Sequence, residues 1–187
     1  MSGNADNVRN WAGATVYIAP RGSTAPTNIA GAWDAAWEEA GYLDEDSGIE
    51  VAIERSSTMH HAYGGDLVRT TSSKQGQKVT FTALENNPVI FDLLNPGGAG
   101  STASGITTRT RRKYTPNPKA FGLELTDGEI TTRLIIPKGE VVDAPAAMTH
   151  KDDALAMYSC PISAYVYDSA TGAWAVEITD DPAAVVS

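Results

Sequence analysis

Runs in which apolar and polar positions alternate dominate the chain. Residues 14–19 alternate briefly and stop at Pro20, which predicts a short strand. Ile49, Val51 and Ile53 alternate with Glu50, Ala52 and Glu54, the pattern of a half-buried strand. Residues 78–84 place Val79, Phe81 and Ala83 on one face. Phe121, Leu123 and Leu125 run into Thr126-Asp127-Gly128-Glu129 and then Ile130, Thr132, Leu134 and Ile136. An Asp-Gly pair between two alternating runs predicts a hairpin. Residues 158–167, a turn at 168–172, and then Trp174, Val176 and Ile178 predict a second hairpin with a longer turn.

Helical signals are few. Asn87 can cap, Pro88 suits a first turn, and 89–94 is apolar apart from Asp92, so a helix is predicted that stops at Asn95-Pro96-Gly97. Residues 33–40 fit either a short acidic helix or an irregular loop. Strands, one helix, a long loop and more strands favour an antiparallel β-sandwich or barrel over alternating βαβ units. The expected organisation is an N-terminal arm (1–13), one β-domain with a flanking helix (14–180) and a short C-terminal tail (181–187).

Two connections stand apart. Residues 97–105 are rich in Gly, Ala, Ser and Thr and predict a flexible link, which runs into the basic residues Arg109, Arg111, Arg112 and Lys113. Residues 20–46 form a long connection carrying Trp33, Trp37 and the acidic residues Asp34, Glu38, Glu39, Asp44, Glu45 and Asp46. Loops of that length in compact domains are functional or disordered, and two Trp argue for function.

Composition sharpens this picture. Nineteen Thr and seven Tyr in 187 residues tilt it towards β-structure. The single cysteine, Cys160, cannot form an internal disulfide, which fits a reducing compartment. Residues 1–10 lack the basic start and apolar run of a signal peptide, and no apolar stretch approaches the ~20 residues of a membrane span. Fourteen Lys and Arg against 23 Asp and Glu give a net charge of −9. That balance opposes gripping nucleic acid phosphates, and it leaves room for a surface that DNA slides past, since like charges discourage sticking.

Motifs for catalysis or cofactor binding fail on context. The Gly98-x-Gly100-x-x-Ala103 spacing matches a loose dinucleotide fingerprint, and Gly100 to Gly105 has P-loop spacing, but a helix precedes it and the P-loop Lys position is Ile106. The carboxylates starting at Asp44 reach Arg55 where an EF-hand needs its bidentate Glu. His60 and His61 are neighbours, so on a strand they point to opposite faces and do not chelate one metal. There is no Gly-x-Ser-x-Gly, and Cys160, in an alternating run before Pro161, is a core or sheet residue. Only Tyr114 accompanies the basic run, too few aromatics to stack bases. The acidic set Asp44, Glu45 and Asp46 and the basic set Arg109, Arg111, Arg112 and Lys113 are instead contact candidates between copies, and so are Trp33 and Trp37.

Several segments, taken in order, resemble the major tail tube protein of long-tailed, non-contractile phages, above all those infecting actinobacteria. The first is residues 37–49, Trp37 with a Gly41-Tyr42 pair and an acidic turn ending at Gly48. The second is Tyr63-Gly64-Gly65-Asp66 with the following strand to Glu85-Asn86. The third is the stretch Arg133 to Val141, and the fourth is the turn with Asp168 and Gly172. The resemblance spans about residues 11–180, and the Gly-rich insert with its basic run departs from it.

The resemblance implies a two-sheet β-sandwich flanked by a helix, six copies closed into a ring around an inner β-barrel, and rings stacked into a hollow tube through loops. With such a lumen implied, Glu50 and Glu54, opposite the apolar face of their strand, are the candidates to face it; no cofactor and no catalysis are implied. The implied partners are further copies of the chain, a tape measure protein and tail tip or terminator proteins, with genomic DNA passing through the lumen unbound. Assembly would occur in the host cytoplasm. A tail terminator, a decoration protein and a bacterial injection-system tube protein share this expectation of fold. A carbohydrate-binding sandwich would need aromatics on a rigid face.

Overall fold

A computed structural model describes residues 7–141 and 147–184, the side chains of 73–75 aside. Among these residues eleven strands and one α-helix follow in the order β1 (Gly13–Pro20), β2 (Glu38–Glu39), β3 (Glu50–His61), β4 (Leu67–Ala83), α1 (Pro88–Leu94), β5 (Ala99–Ala103), β6 (Ile106–Thr110), β7 (Lys119–Asp127), β8 (Ile130–Glu140), β9 (Ala147–Thr149), β10 (Met157–Ala164) and β11 (Val176–Thr179), with a 3-10 turn at Pro182–Ala184 after them. All pairings are antiparallel. The main sheet runs β2-β1-β7-β8-β10-β4-β3, with β9 beside β10 and β11 beside β8.

This sheet curls back on itself. Ala40 N donates to Val16 O at 2.8 Å, Leu84 N to Tyr42 O at 2.8 Å and Asp44 N to Thr82 O at 2.9 Å. The segment from β2 to Leu43 therefore joins β1 to the end of β4, with Leu43 bridged to Ala83. One core fills the interior: Val16 and Ile18 of β1, Val79 and Phe81 of β4, Phe121 and Leu123 of β7, Ile136 of β8, and Cys160 and Ile162 of β10. Helix α1 closes one end with Ile90 and Leu93. Asn87 caps it as expected, accepting from Ile90 N at 2.9 Å, and its amide donates to Ala40 O at 2.9 Å. The mainly antiparallel β architecture with one flanking helix agrees with the sequence pattern.

The β1–β7–β8 portion is covered on both faces. Outside it, Trp37 is 6% exposed and packs with Ala19 and Ala120, while Trp33 stacks on Tyr17 with ring centroids 4.5 Å apart. Trp33 lies directly over Gly122, where a Cβ would come within 2.2 Å of the ring, so only glycine admits it. The connection that carries these rings is pinned by Arg133. Its Nε donates to Glu124 Oε2 at 2.6 Å, and its Nη1 donates to the carbonyls of Asn28 (3.0 Å) and Gly31 (2.6 Å). Glu124 also accepts from Trp33 Nε1 at 3.0 Å, and the guanidinium sits 5.3 Å from the Trp33 ring centroid.

Three local expectations are corrected. The Gly-rich stretch 97–105 is not a loose link: it supplies β5 and the turn of a two-stranded sheet with β6. Ser104 (φ 51°) and Gly105 (φ 77°) form its two-residue turn, and Thr102 and Thr107 hydroxyls meet across it at 2.9 Å. The chain reverses at 168–173, but β11 pairs with β8 rather than with β10. β8 is long enough to take β11 along Thr132–Ile135 and β10 at Gly139–Glu140. Finally, β3 exists but is not half-buried: Val51 is 48% and Ile53 54% exposed, because β3 lies at the sheet's open edge.

Candidate assembly surfaces

The β3–β4 pair is the most prominent surface feature. Twelve and 17 residues long, the two strands pair from Glu50–Thr80 out to His61–Leu67, and every residue from 53 to 70 is exposed. Gly64 (φ 110°) and Gly65 (φ 95°) turn the tip, and Gly65 N donates to Ala62 O at 3.0 Å. Tyr63 stands at this tip fully exposed, with Met59, Leu67 and Val68 behind it. A two-stranded ribbon carrying apolar side chains into water has little of its own to hold it, and β3 also presents an unpaired edge.

Glu50 and Glu54 lie on β3 opposite Thr80 and Gly76, both exposed and on the face turned away from Val79. His60 and His61 follow on the ribbon, and the His60 ring nitrogen is 3.1 Å from the Thr71 hydroxyl. Among the described residues no three His, Cys, Asp or Glu gather as a metal site. Burial pushes the Cys160 thiol up to about 12, so it stays protonated and unreactive in the core.

The acidic turn is built by Asp44, which accepts from Ser47 N at 2.9 Å and whose carbonyl takes Gly48 N at 3.2 Å. Asp44 is half-buried, and Glu45 and Asp46 are exposed. Beside this turn, Glu85 packs against Gly41 and accepts from Tyr42 N at 2.9 Å.

The basic residues divide. Arg109 is used within the subunit: it donates to Asn86 Oδ1 (2.6 Å) and Asn86 O (3.1 Å) and covers the Phe91 ring, fixing the β5–β6 hairpin to the start of α1. Arg111, Arg112 and Lys113 are exposed, Arg111 with its Nη2 3.3 Å from Met148 Sδ. The next residues are anchored again, Tyr114 to Glu140 and Asn117 N to the same carboxylate at 2.6 Å. Desolvation first, and then that hydrogen bond, hold the Tyr114 phenol up to about 12.

Trp33 and Trp37 spend their contacts inside the subunit, which leaves Trp37 almost no surface for a neighbour. Sequence reasoning passed over the residues that receive them. Ala19, Ala120 and Gly122 are small residues on the outward face of alternating strands, and such a shallow strip is the signal for a covering aromatic loop. Arg133 and the ribbon tip enter the sequence reading only through the resemblance, with no contact assigned to either.

No curated protein matches the chain at a significant level. A family model described as phage tail tube protein matches residues 1–187, the whole length.

Proposed function

Since the chain belongs to the phage tail tube protein family, we propose that it builds a siphovirus-type tube from rings of six copies, closed along the free edge of β3 and bridged to the next ring by the β3–β4 ribbon. Membership makes it a structural subunit of the virion tail that assembles with itself into a tube. The mode of assembly rests on one observation above all: a 12-residue edge strand, paired on one side, that runs into an exposed ribbon with apolar side chains. Isolated proteins blunt or cover such edges, and ring closure covers this one with a neighbouring strand.

In this arrangement Glu50 and Glu54 face the lumen and keep DNA from adhering, since like charges repel. The tape measure protein and the terminator and tip proteins meet the tube inside and at its ends. DNA transits without specific binding, and no reaction is catalysed.

Negative-stain electron microscopy of the purified, concentrated protein tests the reading. Tubes or stacked rings are expected; single rings that never stack would indicate a terminator, and a strict monomer would refute assembly. The variant Glu50→Lys/Glu54→Lys should still assemble, and its tubes should retain short duplex DNA in a pelleting assay. Retention no greater than that of the parent tubes would remove both residues from the lumen.

A further inference from the structure

Between the N-terminal half of β1 and the acidic turn lies a cleft of about 990 Å³. Leu43, Ile49 and Leu125 give it an apolar floor, and Glu39, Asp44, Glu45 and Glu85 stand around it. None of these four carboxylates belongs to an ion pair among the described residues, whose pairs are Arg9–Asp181, Lys119–Asp92 and Arg133–Glu124. Their hydrogen bonds come from neutral donors: Tyr42 N to Glu85, Ser47 N to Asp44 and the Tyr17 hydroxyl to Glu39. Four like charges around an apolar floor disfavour one another and favour a cationic occupant.

The chain carries one segment of that chemistry in a fixed position. Arg111, Arg112 and Lys113 form a strap held at both ends, by Arg109 on Asn86 and by Tyr114 and Asn117 on Glu140. Strap and cleft lie at the two ends of one row of paired residues along the curled sheet. Arg111 touches Met148, Met148 pairs with Tyr158, Tyr158 with Ala83, and Ala83 with Leu43 at the cleft. Three strand spacings separate the two ends, about 14 Å. Arg109 anchors the strap on Asn86, between the cleft residues Glu85 and Asn87, yet among the described residues no strap cation pairs with a cleft carboxylate, which leaves the cleft open to a cation from another copy.

We infer that the cleft receives the Arg111-Arg112-Lys113 strap of a second copy of this chain. Cleft and strap are two different patches of one chain, so a contact between them is head-to-tail, the kind that repeats from copy to copy and closes a ring. The strap's fixed ends lower the entropy lost on docking. This rests on the tube-forming reading and adds to it a side-by-side contact distinct from the β3 edge and the ribbon.

Charge exchange tests it. Arg111→Glu/Arg112→Glu and Glu39→Lys/Glu45→Lys, each checked for an unchanged thermal melt, should lower ring yield by about tenfold or more, and the combined four-fold variant should recover most of the parent yield. Parent-like rings in both double variants, or no recovery in the combined one, would overturn the contact. A second arm does not need rings at all: a synthetic peptide of residues 108–115 is titrated into dilute protein and followed by amide chemical shifts. Shifts at Tyr42, Glu45 and Gly48 that vanish in Glu39→Lys/Glu45→Lys support the cleft. Shifts elsewhere, or none, refute it. Wild-type protein that forms no rings would sink the tube reading, while the peptide would still decide the cleft.

Discussion

Removing Ser57 to Ser73 and joining Ser56 to Lys74 through Asn-Gly is expected to give a folded monomer that forms no tubes. Ser56 and Lys74 face each other in register, so a two-residue turn can close between them. Nothing in the excised ribbon contributes to the core: its described side chains are exposed apart from the half-buried Thr71, whereas the buried residues of β4 begin at Gln77. Stability should therefore stay within about 1 kcal/mol of the parent, the range of surface changes. Assembly should fall below detection, because Tyr63, Met59, Leu67 and Val68 go with the ribbon. Sedimentation velocity and thermal melting measured together decide the matter. Tubes of parent length from the shortened protein would take the ribbon out of assembly, and a lost melting transition would make it part of the fold.

Arg133→Met is expected to be the most damaging single substitution for the subunit itself. The Arg133 side chain is 8% exposed and Glu124, its partner at 2.6 Å, 22%. The substitution strips three hydrogen bonds, leaves Glu124 without its cation and frees the carbonyls of Asn28 and Gly31. Breaking a buried pair from one side costs about 3–5 kcal/mol. Because those carbonyls belong to the connection that carries Trp33, the loop should lift first. Tryptophan emission would then shift to the red before the β-sheet signal melts. The pair couples, so Arg133→Met/Glu124→Gln should cost clearly less than the sum of its parts. Additive losses, or an unshifted emission, would mean that the loop is held by the rings alone.

The elements visible in the sequence are those whose causes are local. Asn87-Pro88 caps α1, Asp127 and Ile130 pair around a two-residue turn, and Val79, Phe81 and Ala83 alternate into the core, each within a few residues. The misreadings share a non-local cause. Alternation in β3 is indistinguishable from that of a half-buried strand, yet its place at the sheet edge leaves Val51 and Ile53 in water. β11 follows β10 after the reversal at 168–173 but pairs with β8, a choice set by which strand edge is vacant. The 97–105 stretch has linker composition, and only the Ser104-Gly105 dihedrals and the facing threonines make it a hairpin.

Candidate site residues divide in the same way. Charge put Asp44, Glu45 and Asp46 on one surface turn and Arg111, Arg112 and Lys113 on another, and both are surface features of the fold. Arg109 and Trp37 have the same residue types as surface contacts but are engaged within the subunit, by Asn86 and by Ala19 and Ala120. Partners such as these lie too far along the chain for any local pattern to expose.

A cryo-electron microscopy reconstruction of the self-assembled protein tests most directly the claim that this chain makes a tube through β3. The account predicts a hollow tube in which each β3 edge hydrogen-bonds to a strand of the adjacent copy and each β3–β4 ribbon lies against the next ring. Tubes in which the β3 edge stays unpaired and faces solvent would contradict it.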